Sequence, residues 1–266
     1  MEQFYTIFDD FAHRFHNLPM FPLLQCGHFV IVTLGLRRNI GLTFAHSNPL
    51  ACLVSTLIAN LSGVLLINLL LGRPIILFFQ DERQIMIITG IWYFTFFCPK
   101  DLFYKVLRSK PCFTIIILLK EAHRAKGILG GVELGLSLYP DAVLITVIFG
   151  FLKGAAGLLT EPLGAAIRGT LTIENNQAVK PSYNSKVSFC VSIIYTMCRK
   201  GIITVSLPYL CLTAYIVLAI VQVTLYWTGG RDPFTSIENA LSPYCFGSPS
   251  VESNSSTQTK NKSKKE

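Results

Sequence analysis

Five ionisable residues, Lys120, Glu121, His123, Arg124 and Lys126, stand in the middle of CFTIIILLKEAHRAKGILGGVELGLSL, a membrane-length stretch from Cys112 to Leu138. A charge at bilayer depth costs roughly 2.5 to 3.5 kcal/mol on insertion scales, so such side chains normally face a bundle interior, a wet cavity or an opposite charge. Lys120 and Arg124 are four residues apart and share one helical face, where a single anionic or hydrated environment serves both cations. They form the first candidate site. His123 changes charge near neutral pH and is a candidate pH-sensitive element; a hydrogen-bonded helix histidine is its plainer reading.

A second constellation is Gly150, Lys153, Gly154 and Gly157, at i, i+3, i+4 and i+7, three glycines and one cation on one helical face. Gly150 and Gly154 make a G-x-x-x-G pair, the usual device for close helix packing. Packing alone does not call for an ammonium group, and an unwound glycine-rich turn would free N–H groups to bind an anionic head group or line a gate. Thr56, Asn60 and Gly63 share a face of an earlier stretch, as uncharged ligands of a hydrated path or as interhelical hydrogen-bonding groups. No H-E-x-x-H, G-x-S-x-G or phosphate-loop pattern is present, which argues against an enzyme. The eight cysteines have no C-x-x-C spacing and read as packing residues, with no metal site expected.

The elements that must position these residues are membrane helices. The 266 residues are 51% hydrophobic and 14% charged, against about 25% charged in a soluble domain. Runs of about 20 apolar residues match a hydrocarbon core about 30 Å thick, and seven are expected: Leu18–Leu36, Pro49–Leu71, Ile85–Leu107, Phe113–Leu138, Asp141–Leu159, Ser182–Cys198 and Ile202–Trp227. The third is interrupted by Cys98, Pro99, Lys100 and Asp101, and the sixth is short before Arg199 and Lys200; six spans with a re-entrant segment is the alternative. Met1 to His16 lacks the basic and apolar regions of a cleavable signal, so the first span is expected to target the chain. Arg37, Arg38, Lys100, Lys105, Arg108, Lys110, Arg168, Lys180, Lys186 and the carboxyl-terminal bases collect on one side, which places the amino terminus outside or in a lumen and the carboxyl terminus in the cytosol. The net charge of +8 fits this orientation and anionic lipid better than nucleic acid.

Asn60–Pro74 (NLSGVLLINLLLGRP) and Gly150–Pro162 (GFLKGAAGLLTEP) align Leu70, Leu71 and Pro74 with Leu158, Leu159 and Pro162, and Pro49 answers Pro140 less closely. Three-helix units repeated in this way enter the membrane in opposite senses, an arrangement typical of channels and transporters. The expected organisation is a transmembrane domain over 1–247, with repeat one about 18–107, repeat two about 112–200 and a seventh helix about 202–227. A disordered basic tail follows over 248–266. Its terminal KSKKE resembles a dilysine retrieval signal or is simply a solubilising tail.

With IWYFTFFCPKDLFYK (Ile91–Lys105), KEAHR (Lys120–Arg124), GFLKGAAG (Gly150–Gly157), IRG (Ile167–Gly169), the DPF at Asp232 and the CFG at Cys245, the chain resembles a trimeric intracellular cation channel from Leu18 to Gly247. The resemblance implies an all-α membrane protein of seven transmembrane helices, two inverted three-helix repeats plus a seventh, with a pore within each protomer of a homotrimer. It implies a monovalent cation channel, chiefly for potassium, in endoplasmic or sarcoplasmic reticulum, balancing the charge of calcium release and uptake. Lys120 and Arg124 are then expected to engage phosphatidylinositol 4,5-bisphosphate in the pore region, with Lys153, Gly154 and Gly157 as the facing wall. Gly63, Gly150, Gly154 and Gly157 are the expected hinge positions.

Two departures stand out: Ala155 and Ala156 where the family often has a serine after KG, and Gly127 in the fourth span. Two like charges 4 Å apart interact by about 4 kcal/mol at an effective dielectric of about 20, enough to repel potassium. A lipid phosphate at Lys120 and Arg124 would offset this, and Asp9, Asp10, Asp81, Glu82 and Asp141 would concentrate cations at the mouth. A transporter using Lys120 and Glu121 is the alternative activity, and a lipid-binding scaffold a third.

Overall fold

The computed structural model describes residues 2–169, 182–230 and 232–235. Among them the chain forms eleven α-helices: α1 (Glu2–Asn17), α2 (Leu23–Ile40), α3 (Leu42–Ser47), α4 (Pro49–Leu70), α5 (Glu82–Phe97), α6 (Leu102–Leu107), α7 (Lys110–Leu138), α8 (Val143–Ala155), α9 (Gly157–Ile167), α10 (Tyr183–Arg199) and α11 (Leu207–Thr228). One compact unit ends at Gly230 and a second covers residues 231–266. The expected tail and its KSKKE end lie outside the described residues.

Every segment expected to span is largely helical, and the ends follow local chemistry. Pro49 opens α4 in its first turn, where its missing N–H costs nothing. Asp81 caps α5 by accepting from the Gln84 N–H at 3.4 Å. By length and apolarity, Pro49–Leu70 and Leu207–Thr228 each suffice to cross a membrane, and the α5–α6 pair does so only if its halves are counted as one span. The outer faces carry Leu50, Met86, Leu144 and Val217, all more than half exposed, the pattern of a surface that meets lipid rather than water.

The third expected span is not one helix. Cys98 is extended, as the residue before Pro99 prefers, and Lys100 and Asp101 follow with φ of 56° and 57°. Two successive non-glycine residues in the left-handed region cost of order 1–3 kcal/mol each and persist only where their surroundings enforce them. The chain turns 94° there. The fifth expected span is interrupted only at Ala156, between α8 ending at Ala155 and α9 starting at Gly157 with Pro162 inside it, and Ala156 itself keeps helical dihedrals of φ −56° and ψ −27°. Pro74, its expected counterpart, lies beyond the end of α4, and the short α10 is unbroken, so the two halves differ in where they are interrupted.

Sequence reasoning missed α1. Phe8, Ala12 and Phe15, at i, i+4 and i+7, turn toward α11, with Phe8 stacked on Tyr209 and Phe15 on Tyr215. The Tyr209 hydroxyl donates to the Asp9 carboxylate at 2.5 Å.

At the centre lies α7, packed on α2, α8, α10 and α11. A Cβ on Gly131 would stand 2.5 Å from the Phe149 carbonyl oxygen and 2.8 Å from the Gly150 Cα, and one on Gly150 would run into the Ser192 hydroxyl. The α7, α8 and α10 backbones therefore approach as closely as glycine permits, the small-residue packing expected between helices in lipid.

Candidate functional site

The charged cluster of α7 is internally paired. Glu121 is fully buried; its Oε2 lies 2.8 Å from Arg124 Nη1 and its Oε1 3.3 Å from Lys120 Nζ. Arg124 also donates to the Asn184 side-chain carbonyl on α10 at 2.8 Å. The cations expected to need a lipid phosphate thus already have a carboxylate from their own helix, one residue from Lys120 and one turn from Arg124. The pairing supplies one anion from within the chain and leaves the triad with one net positive charge.

Lys120 and Arg124 line a cavity of about 980 Å³, together with Lys153 and Gly154 of α8 and Asn60 and Gly63 of α4. The two expected halves of the site therefore do meet. Ala155, Ala156 and Gly157 also line it, so the α8–α9 break opens into the same space. A Cβ on Gly157 would touch nothing within 4 Å, whereas one on Gly154 would stand 2.6 Å from Ile128 and 2.8 Å from the Ser188 hydroxyl. Gly150 is buried in helix packing and does not line the cavity. Gly63 sits in ordinary contact range of Leu152 and Lys153.

His123 is neither free nor hydrogen-bonded within its helix. Its ring stacks on His28 of α2, centroids 4.5 Å apart and planes 13° from parallel, while His28 Nε2 lies 3.3 Å from the Asn60 carbonyl oxygen. Of the expected polar face on α4, Asn60 donates to the Thr33 hydroxyl at 3.3 Å and to the Thr56 carbonyl at 2.8 Å, and Thr56 bonds Cys52 within the helix. Asn60 and Gly63 reach the cavity; Thr56 does not.

Lys126 also lines the cavity, and it has a second role. Its ammonium donates to the carbonyls of Phe15 at 3.2 Å, His16 at 2.9 Å and Leu18, capping the carboxyl end of α1. The last carbonyls of a helix lack intrahelical donors and attract cations, which explains a lysine deep in the chain's central helix. Asp9, Asp10, Asp81, Glu82 and Asp141, the acids expected at the mouth, are not among the cavity-lining residues. Among the described residues no three His, Cys, Asp or Glu side chains converge on a metal site.

Lining residues run from Gln25 to Asn39 on α2 and from Phe113 to Leu134 on α7. At a rise of about 1.5 Å per residue, the α7 stretch covers about 31 Å.

A family model described as "TRIC channel" matches residues 39–229. Trimeric intracellular cation channel type B-A of Xenopus laevis is 31% identical over 236 residues, covering 88% of this chain and 83% of the relative. Type 1B.1 of Caenorhabditis elegans is 28% identical over 245 residues, covering 90% of this chain and 82% of that one. A solved structure described as "Structural basis for activity of TRIC counter-ion channels in calcium release" superposes with a TM-score of 0.80 at 28% identity, covering 83% of this chain and 99% of the other.

Proposed function

Because the chain belongs to the trimeric intracellular cation channel family, a family of ion channels and not of enzymes, we propose that it conducts potassium as a counter-ion for calcium movement across the endoplasmic or sarcoplasmic reticulum membrane. Each protomer of a homotrimer holds its own path, through the cavity between α2, α4, α7 and α8. Seven spans and two inverted repeats plus a last helix describe the protomer, with the amino terminus luminal and the carboxyl terminus cytosolic.

The observation that carries this reading is the cavity's extent. Its lining covers about 31 Å of α7, the thickness of a hydrocarbon core of about 30 Å, and Lys120 and Arg124, both paired with the buried Glu121, interrupt it. With one net positive charge, the triad resists cations less than two bare ammonium groups would. It still attracts an anionic phosphoinositide head group, which binds Lys120, Arg124 and Lys153, charge-assisted contacts being the strong ones. Head-group binding brings the local charge to neutral or below and admits potassium. Motion about the α8–α9 break, where Ala156 and Gly157 face the cavity, gates the path.

Replacing Lys120 or Arg124 with Ala in purified, reconstituted protein is expected to weaken binding of phosphatidylinositol 4,5-bisphosphate and to alter potassium flux and its voltage dependence. Unchanged lipid binding and flux in both variants would overturn the assignment.

A further inference from the structure

Arg37, in the last turn of α2, stands among the basic residues that orient the chain, yet its side chain is only 6% exposed. It enters the elbow between α5 and α6. One arm of the guanidinium donates to the carbonyl of Thr95 in the last turn of α5, where carbonyls lack intrahelical donors. The other arm lies 2.8 Å from the carboxylate of Asp101, the residue just before α6. Its face covers the Tyr104 ring at 3.9 Å. Three directions are satisfied by one planar fork, a task that the single ammonium of lysine does not perform.

The contact continues to the cavity. Arg108, which follows α6, donates to the Tyr104 hydroxyl at 3.0 Å and lines the cavity at the end where Arg38 and Asn39 of α2 also lie. Arg37 therefore holds the ring on which a cavity-facing cation is seated.

We propose that Arg37 is a positioning residue for the ion path: by bracing the 94° elbow it sets Tyr104, and through the Tyr104 hydroxyl it sets where Arg108 stands in the mouth of the cavity. The proposal rests on the reading of the cavity as the path. It makes the α5–α6 break a fixed bracket, unlike the α8–α9 break.

The test is a double-mutant cycle on potassium flux through liposomes carrying the full chain. Arg108→Gln is measured alone and combined with Arg37→Lys or Tyr104→Phe, with thermal stability followed in parallel. Arg108→Gln alone is expected to change flux by at least about twofold, and to add nothing further once Arg37→Lys or Tyr104→Phe has released it, because coupled residues are non-additive. A purely structural Arg37 would lower thermal stability and leave the effect of Arg108→Gln unchanged in the Arg37→Lys background, overturning the proposal. So would an Arg108→Gln variant with wild-type flux. If Arg37→Lys does not fold, Asp101→Asn, which takes away the carboxylate that holds Arg37 and leaves Tyr104 and Arg108 intact, takes its place in the cycle and decides in the same way. Absence of flux in the wild-type chain fails the channel reading itself, whereas additivity in a conducting wild type fails only this proposal.

Discussion

Glu121→Gln is the sharpest perturbation of the cavity. The carboxylate is fully buried between Arg124 at 2.8 Å and Lys120 at 3.3 Å. At an effective dielectric of about 20, these contacts are worth about 6 and about 5 kcal/mol of bare attraction. Desolvation offsets much of that, and removing one member of a buried ion pair costs about 3–5 kcal/mol. The larger effect concerns permeation: the triad's net charge rises by one unit, and a cation passing about 8 Å away meets about 2 kcal/mol more repulsion at the same dielectric, about thirtyfold in rate. Potassium flux in proteoliposomes should therefore fall, while affinity for a short-chain phosphoinositide should rise, because the same charge change favours the anion. Glu121→Asp, which keeps the charge, should recover most of the flux. Flux equal to wild type in folded Glu121→Gln protein, or a fall in its lipid affinity, would refute the reasoning.

The helix contacts give two further outcomes. Gly131→Ala forces a methyl group to within 2.5 Å of the Phe149 carbonyl oxygen and should lower stability by about 1–3 kcal/mol, read as a drop in the thermal midpoint by size-exclusion chromatography. Gly157→Ala meets nothing within 4 Å and should leave that midpoint nearly unchanged while altering channel open probability in planar bilayers, since the stiffened residue adjoins the α8–α9 break. Lys126→Ala removes the donor to three carbonyls at the end of α1, part-buried or exposed groups that water can partly satisfy, at about 1 kcal/mol. Amide exchange within α1 should then accelerate severalfold, with α7 itself unaffected.

Charges inside an apolar run were readable because lipid penalises them so heavily, and Lys120 and Arg124, four residues apart, both line the one cavity. The fate of those charges was less readable. Glu121 is adjacent to Lys120 and three residues before Arg124, a spacing that permits pairing, but competition between a carboxylate and a lipid phosphate is decided by burial, which the linear chain does not display. Lys126 and Arg37 show the same limit more strongly. Their partners lie 110 and 58 residues away, so neither the clamp of Lys126 on α1 nor the hold of Arg37 on the elbow left a local signal. The interruption at Pro99 was visible through proline's effect on the preceding residue, whereas the contacts of Arg37 in the elbow come from a helix about 60 residues earlier and were not. For α1, the heptad-like spacing of Phe8, Ala12 and Phe15 was the signal, hidden by Asp9, Asp10 and the other polar residues between them.

The grip of Lys126 on the end of α1 bears on how the protein is handled at the bench. The first seventeen residues look dispensable, the kind of leader trimmed when a shorter expression clone is designed or displaced by a bulky purification tag. Cutting at Leu18 would strip two stacked aromatic rings from α11 and leave an ammonium group without the carbonyls of Phe15 and His16. A truncated preparation would thus report on a damaged bundle, and tags belong at the opposite terminus.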